Sequence, residues 1–220
     1  MKVLCFTCSY KRPHMLRQCI LNIQSQKYSN VIHSINLTLD KTIITSNYDI
    51  LYDDLVNEKC IINYSQNSHQ NINHLTAIKN IKNYESYDLF IKIDDDDIYK
   101  RNYISNIVKL FSEDSSIDIL TSKAKYQLNG FNIYSGNYRN LGGNPPDYDF
   151  NMPPTFAFNK KALQFIINPT SEELLGFEDT IWRNIWAKNK LIHKEVDNSS
   201  EFIWHIHGKN ISTSNFLRPT

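Results

Sequence analysis

A chain of 220 residues with 41% hydrophobic and 12% aromatic side chains can bury a sizeable core, which excludes a wholly disordered protein. A formal net charge of +1 gives no global drive toward nucleic acid or an anionic membrane, so recognition must be local. No apolar run approaches the roughly 20 residues that span a bilayer, and the sequence opens on a short apolar strand with no signal-peptide pattern; a cytoplasmic protein is expected, or one of the host cytoplasm if the source is viral.

Val3 to Phe6 read as a short buried strand, followed by the polar loop Thr7-Cys8-Ser9-Tyr10-Lys11-Arg12 and by Pro13, a residue suited to a helix's first turn. Met15, Leu16, Cys19, Ile20 and Ile23 recur at helical spacing, and Val31, Ile35, Leu37 and Leu39 alternate as a second strand ending at Asp40. Strand, helix, strand is the opening of a parallel α/β sheet. Lys59 to Tyr64 predict a third strand and Ile72 to Ile81 a helix; Leu89, Phe90, Ile91 and Ile93 predict a central strand. A helix carrying Tyr103 to Phe111 and a strand from Ile117 to Leu120 complete this half. From residue 122 the chain turns irregular and rich in Tyr, Asn and Gly, with Asn129-Gly130 as a hairpin turn. Thr155 to Phe158 resume as a strand, Lys160 to Ile167 as a helix, and Asp179 to Lys188 as an amphipathic helix using Ile181, Trp182, Ile185 and Trp186. No linker or repeat divides the chain, so one domain is expected over 1–220. Cys5 and Cys8 have CxxC spacing without a second such pair, which speaks for reduced core cysteines rather than a zinc or redox site.

Three stretches carry chemistry. Asp94 to Asp97 leave the central strand at the sheet edge where open α/β folds bind ligands. Four adjacent carboxylates disfavour one another's charge and call for a hard divalent cation bound through oxygen. In an extended segment Asp94 and Asp96 would share one face and Asp95 and Asp97 the other; the alternative is an acidic turn capping a helix that starts near Tyr99. Gly176-Phe177-Glu178-Asp179 sets two acids at a helix start, where backbone N–H groups could hold one while the other works as a base, with plain helix capping as the alternative. His205 and His207 stand two apart on a predicted strand, and carboxylate with imidazole favours manganese over magnesium or calcium.

Together these stretches resemble a glycosyltransferase of the GT-A fold, most similar to the family 2 group that uses nucleotide-diphosphate sugars. The resemblance rests on Thr7 to Pro13 as a T-x-x-R-P-like loop, Ile93 to Asp97 as a DxD motif, Gly176 to Asp179 as a G-x-E-D motif, and His207 to Asn210 as the late histidine segment. It implies a Rossmann-like nucleotide-binding sheet, with 1–121 as the nucleotide-sugar half and 122–220 as the acceptor-binding and catalytic half. Thr7, Tyr10, Arg12, Asp40, Asp94 and Asp95 would then bind the nucleotide; Asp96, Asp97 and His207 would hold Mn²⁺, with Mg²⁺ as the other candidate. Asp179 would be the catalytic base of an inverting transfer, and Glu178 and Trp182 would orient the acceptor or a sugar. The implied partners are a UDP-sugar donor and a glycan or lipid-linked glycan acceptor of surface polysaccharide or glycoprotein glycan synthesis, with no nucleic acid and only peripheral membrane contact. The rival readings are a sugar nucleotidyltransferase and a non-catalytic carbohydrate- or metal-binding module.

Overall fold

The computed structural model describes residues 1–39, 52–66, 69–123, 125–128, 132–134, 156–171, 178–198 and 200–206. Strand β1 (Val3–Tyr10) is covered on both sides, and its side chains alternate between two apolar layers. Val3 and Cys5 enter one core cluster with Cys19, Ile104 and Ile107; Leu4 and Phe6 enter the other with Leu75, Ile78 and Trp182. Helices α1 (Pro13–Gln24) and α3 (Tyr103–Glu113) supply the first layer. Helices α2 (Gln70–Lys79), α4 (Lys160–Ile166) and α5 (Glu178–Lys188) supply the second.

Strand β1 pairs in parallel with β2 (Val31–Leu39) on one side and β4 (Leu89–Lys92) on the other, and β3 (Cys60–Gln66) extends the sheet beyond β2. Two further short strands are β5 (Ile98–Tyr99) and β6 (Ile119–Lys123). Strands β7 (Lys125–Leu128) and β8 (Asn132–Tyr134) pair antiparallel, as a hairpin through Asn129-Gly130 requires, although the turn itself lies outside the described residues. Strand β9 (Ala157–Asn159) inserts antiparallel between β4 and β6. With β10 (His193–Asp197) and β11 (Phe202–Ile206), the described strands form a seven-stranded sheet in the order β10-β6-β9-β4-β1-β2-β3 and a four-stranded sheet in the order β5-β11-β7-β8. No helix of the described residues is long and apolar enough to cross a membrane.

Two buried polar residues of β2 are answered by neighbouring elements. Ser34 Oγ donates to the Ala77 carbonyl at 2.5 Å, and Asn36 Nδ2 to Ser65 Oγ at 2.9 Å, which ties the strand to α2 and β3. The two cysteines of the CxxC spacing part company: Cys5 lies in the layer of α1 and α3, whereas Cys8 Sγ sits 3.2 Å from His74 Nε2 of α2, so the strand's alternation denies them a common ligand.

Candidate active site

The site grows from the carboxyl ends of β1 and β4. Strand β4 ends at Lys92, and the Ile93 N–H donates to the Phe6 carbonyl at 3.0 Å. Thr7 Oγ1 donates to the Ile93 carbonyl at 2.8 Å and accepts at 2.8 Å from His33 Nε2. Thr7 is thus a buried clamp between strands rather than a surface for a nucleotide. Beyond Ile93 the backbone turns instead of staying extended, which breaks the face alternation expected of the quartet. Asp94, Asp96 and Asp97 converge, each offering an oxygen within 4.8 Å of the others, while Asp95 turns aside. The chain then enters β5, and the next helix begins only at Tyr103, so the quartet caps no helix. Tyr99 secures the turn by accepting the Asp94 N–H at 2.9 Å.

Arg12 faces the quartet from the turn between β1 and α1. Lys11 takes a positive φ of 56° at the end of β1, a conformation that costs a non-glycine residue about 1 kcal/mol and redirects the chain into α1. The Arg12 guanidinium reaches Asp95 Oδ1 at 3.0 Å and pairs closely with Asp96, and Ser9 Oγ donates to Asp95 Oδ2 at 2.5 Å. Burial pushes the Asp95 carboxyl up to about 7 against the opposing pull of Arg12. Tyr10, 40% exposed, lies at the rim with the Lys11 ammonium 4.9 Å above its ring.

The third side comes from α5. Lys92, wholly buried, places Nζ 2.9 Å from Asp94 Oδ1 and 2.9 Å from Glu178 Oε1. Burial alone would lower its ammonium, but Asp94 and Glu178 outweigh it and hold the group well above its usual range. Glu178 is buried and its Oε1 is turned toward Lys92, with Gln70 Nε2 at 3.3 Å from the same oxygen. Although His74 Nε2 lies 3.6 Å from Glu178 Oε1, burial and then Lys92 push this imidazole down to about 3, leaving a neutral ring beside a carboxylate rather than an ion pair. Asp179, the next residue, is partly exposed and accepts the Thr180 N–H at 2.7 Å.

Trp182 corrects the sequence expectation of a sugar-facing ring. It is 0% exposed, packs against Phe6, Phe158 and Trp186, and donates Nε1 to Asn71 Oδ1 at 2.9 Å. Asp40 and His207, expected at the nucleotide and the metal, lie outside the described residues. Strand β11 pairs antiparallel with β5, Ile203 opposite Ile98, and then runs on past Ile98 in the direction of Asp97, carrying the backbone of residue 205 that way. Lys92 and His74 escaped the sequence reading. The one signal for Lys92 was a charged residue inside an otherwise apolar central strand.

The buried rings give the site an acid limit. His33 and His74 are both held near 3 against an ordinary value of 6.5, so their stability contribution is complete above about 6.5 and is lost as pH falls toward 3. Asp95 runs oppositely: its contribution is complete below 3.8 and is lost as pH rises through about 7. Where the windows overlap, two losses meet one gain, and the unfolding free energy should fall on acidification from about 6 to 4. Urea unfolding at several pH values reads this, and a flat profile would mean that the rings are not buried as neutral groups.

No protein-family model matches the sequence and no curated protein matches it. Solved structures do match by fold. The crystal structure of S. aureus TarS 1–349 in complex with UDP aligns with a TM-score of 0.67 at 15% identity, covering 94% of this chain and 61% of that one. The complex of the same protein with UDP-GlcNAc gives 0.65 at 15% identity over 97% of this chain and 61% of that one. S. aureus TarS itself gives 0.61 at 13% identity, covering 95% of this chain and 37% of that one. The chain therefore spans about three fifths of the TarS 1–349 structures or less, and at such identity the likeness speaks for architecture alone. This chain has a GT-A-type α/β fold, the architecture that it shares with S. aureus TarS.

Proposed function

We propose that this chain is a metal-dependent, inverting glycosyltransferase that moves a sugar from a nucleotide-diphosphate donor, a UDP-sugar, to a glycan acceptor. The observation that supports it most is the meeting of two chemistry-bearing segments at one sheet edge: Asp94, Asp96 and Asp97 converge after β4, and Lys92 joins Asp94 to the start of α5, which carries Asp179. The neighbours with UDP and UDP-GlcNAc bound share this fold and suggest the donor class.

The donor set suits a divalent cation. Three carboxylate oxygens are hard ligands at converging positions, and Asp94 to Asp97 with Glu178 outnumber the cationic pair Arg12 and Lys92 set among them. Asp94, Asp96 and Asp97 would hold Mn²⁺ or Mg²⁺, with His207 as a further ligand. Such an ion supplies Lewis-acid neutralisation of charge on a departing diphosphate. Arg12, already drawn to Asp95 and Asp96, stands where it can turn to a phosphate once the carboxylates are otherwise neutralised. Asp179 takes the proton of the acceptor hydroxyl as that oxygen attacks the anomeric carbon from the face opposite the diphosphate, which inverts the configuration. Tyr10 and Asp40 border the nucleotide base, and Asp95 the ribose. The acceptor is a glycan or lipid-linked glycan of a surface polysaccharide or glycoprotein.

Incubation with a panel of nucleotide sugars, with and without Mn²⁺, tests the proposal. The expected result is release of nucleoside diphosphate from one UDP-sugar, stopped by chelator and restored by Mn²⁺. Release of pyrophosphate would instead mark a nucleotidyltransferase. Glycan binding with no turnover of any donor would mark a non-catalytic module.

A further inference from the structure

The proposed roles leave Lys92 without a task, yet among the described residues it is a buried ammonium held between two carboxylates. It is the last residue of β4, which is flanked by β1 and β9, and its side chain is 1% exposed. Its ammonium is shared at equal distance, 2.9 Å, between Asp94 of the metal-suited cluster and Glu178 at the first position of α5. Glu178 is fixed a second time by Gln70 at the first position of α2. A buried ion pair is weak support for a fold, since apolar groups of like volume often serve stability as well. What it does supply is a defined separation between the groups that it joins.

We infer that Lys92 is a positioning residue: through Asp94 and Glu178 it sets the distance and orientation between the acidic cluster and the first turn of α5, and so between the donor and Asp179. Glu178 then belongs to the strut and does not contact the acceptor. This rests on the glycosyltransferase reading, because the distance matters only if donor and base must meet. Near-attack placement is demanding, and an error of about 1 Å costs about 100-fold in rate.

The test compares Lys92→Met, Lys92→Arg and the charge-balanced pair Lys92→Met with Glu178→Gln, which serves if the single change leaves buried Glu178 uncompensated and the protein unfolded. In folded Lys92→Met, kcat should fall by about 100-fold with the donor KM changed by less than about threefold, and Lys92→Arg should recover part of the loss. Without any ligand, amide exchange in the first turn of α5 should quicken by about tenfold or more while amides of β1 keep their protection; general destabilisation would raise both. Wild-type kcat and wild-type exchange in α5 would overturn the inference and leave the glycosyltransferase reading standing. If the wild-type protein shows no Mn²⁺-dependent turnover of any nucleotide sugar, the reading fails and the link to catalysis with it, while the exchange result still decides whether Lys92 anchors α5.

Discussion

Replacing Asp96 with alanine is expected to weaken Mn²⁺-dependent UDP binding by about 100-fold or more, since even groups that only support a metal ligand cost 10- to 100-fold when removed. Asp96 is one of three carboxylates whose oxygens lie within 4.8 Å of one another, and it is also a partner of Arg12. The same geometry makes the opposite prediction for Arg12→Met. With the guanidinium gone from Asp95 and Asp96, the cluster is more negative, and Mn²⁺ alone should bind about tenfold more tightly, once solvent screening of this partly exposed side chain is allowed for. UDP binding should weaken in that variant, because the cation that would turn to a phosphate is lost. Calorimetric titration of each protein with Mn²⁺ and then with UDP separates these effects. Unchanged binding by Asp96→Ala would move the metal to another group of carboxylates, and an Arg12→Met protein that loses Mn²⁺ affinity would mean that the guanidinium supports the metal site rather than competing with it.

How far the sequence could be read follows from which forces act locally. The alternation of Val3 to Phe6, the Pro13 start of α1 and the apolar run into Ile93 are local records of burial on two faces, and each element begins where the pattern predicts; β1, however, runs on through Thr7 to Tyr10, which the polar composition assigns to a loop, because pairing with β2 holds those residues in the sheet. Where long-range pairing decides, the pattern is silent. The strand expected near Thr155 to Phe158 does exist as Ala157–Asn159, but nothing in those residues says that it enters antiparallel between β4 and β6. The aspartate quartet was legible as chemistry and misread as geometry: alternation presumes an extended backbone, whereas the chain turns after Asp94 and brings three of the four side chains together. Trp182 was ambiguous for a similar reason, because an aromatic ring suits a sugar or a core equally well, and only the aromatic contacts around it decide. Lys92 and Glu178 are 86 positions apart in sequence, and no local rule links a lysine in one strand to a glutamate at a distant helix start.

The pair Glu178 and Asp179 shows how one helix start divides two similar acids. Successive residues on an α-helix point about 100° apart, so when Glu178 turns inward to Lys92, Asp179 faces toward solvent. Its carboxylate already accepts the Thr180 N–H at 2.7 Å, a contact that an asparagine oxygen can keep. Asp179→Asn should therefore leave the fold and Mn²⁺-dependent UDP binding unchanged, while removing the only change that matters to the chemistry, the capacity to accept a proton. Transfer to a glycan acceptor should fall by about 10²- to 10⁴-fold, the ordinary worth of a general base. Slow hydrolysis of the donor by water, which relies less on an oriented base, should fall by less. Glu178→Gln is the contrasting case: it should raise the mobility of α5 and lower kcat, yet leave the pH dependence of the remaining turnover as it was, because Asp179 still takes the proton. A protein with Asp179→Asn that transfers sugar at the wild-type rate would remove this residue as the base, and a product that retains the donor's anomeric configuration would remove the single-displacement mechanism with it.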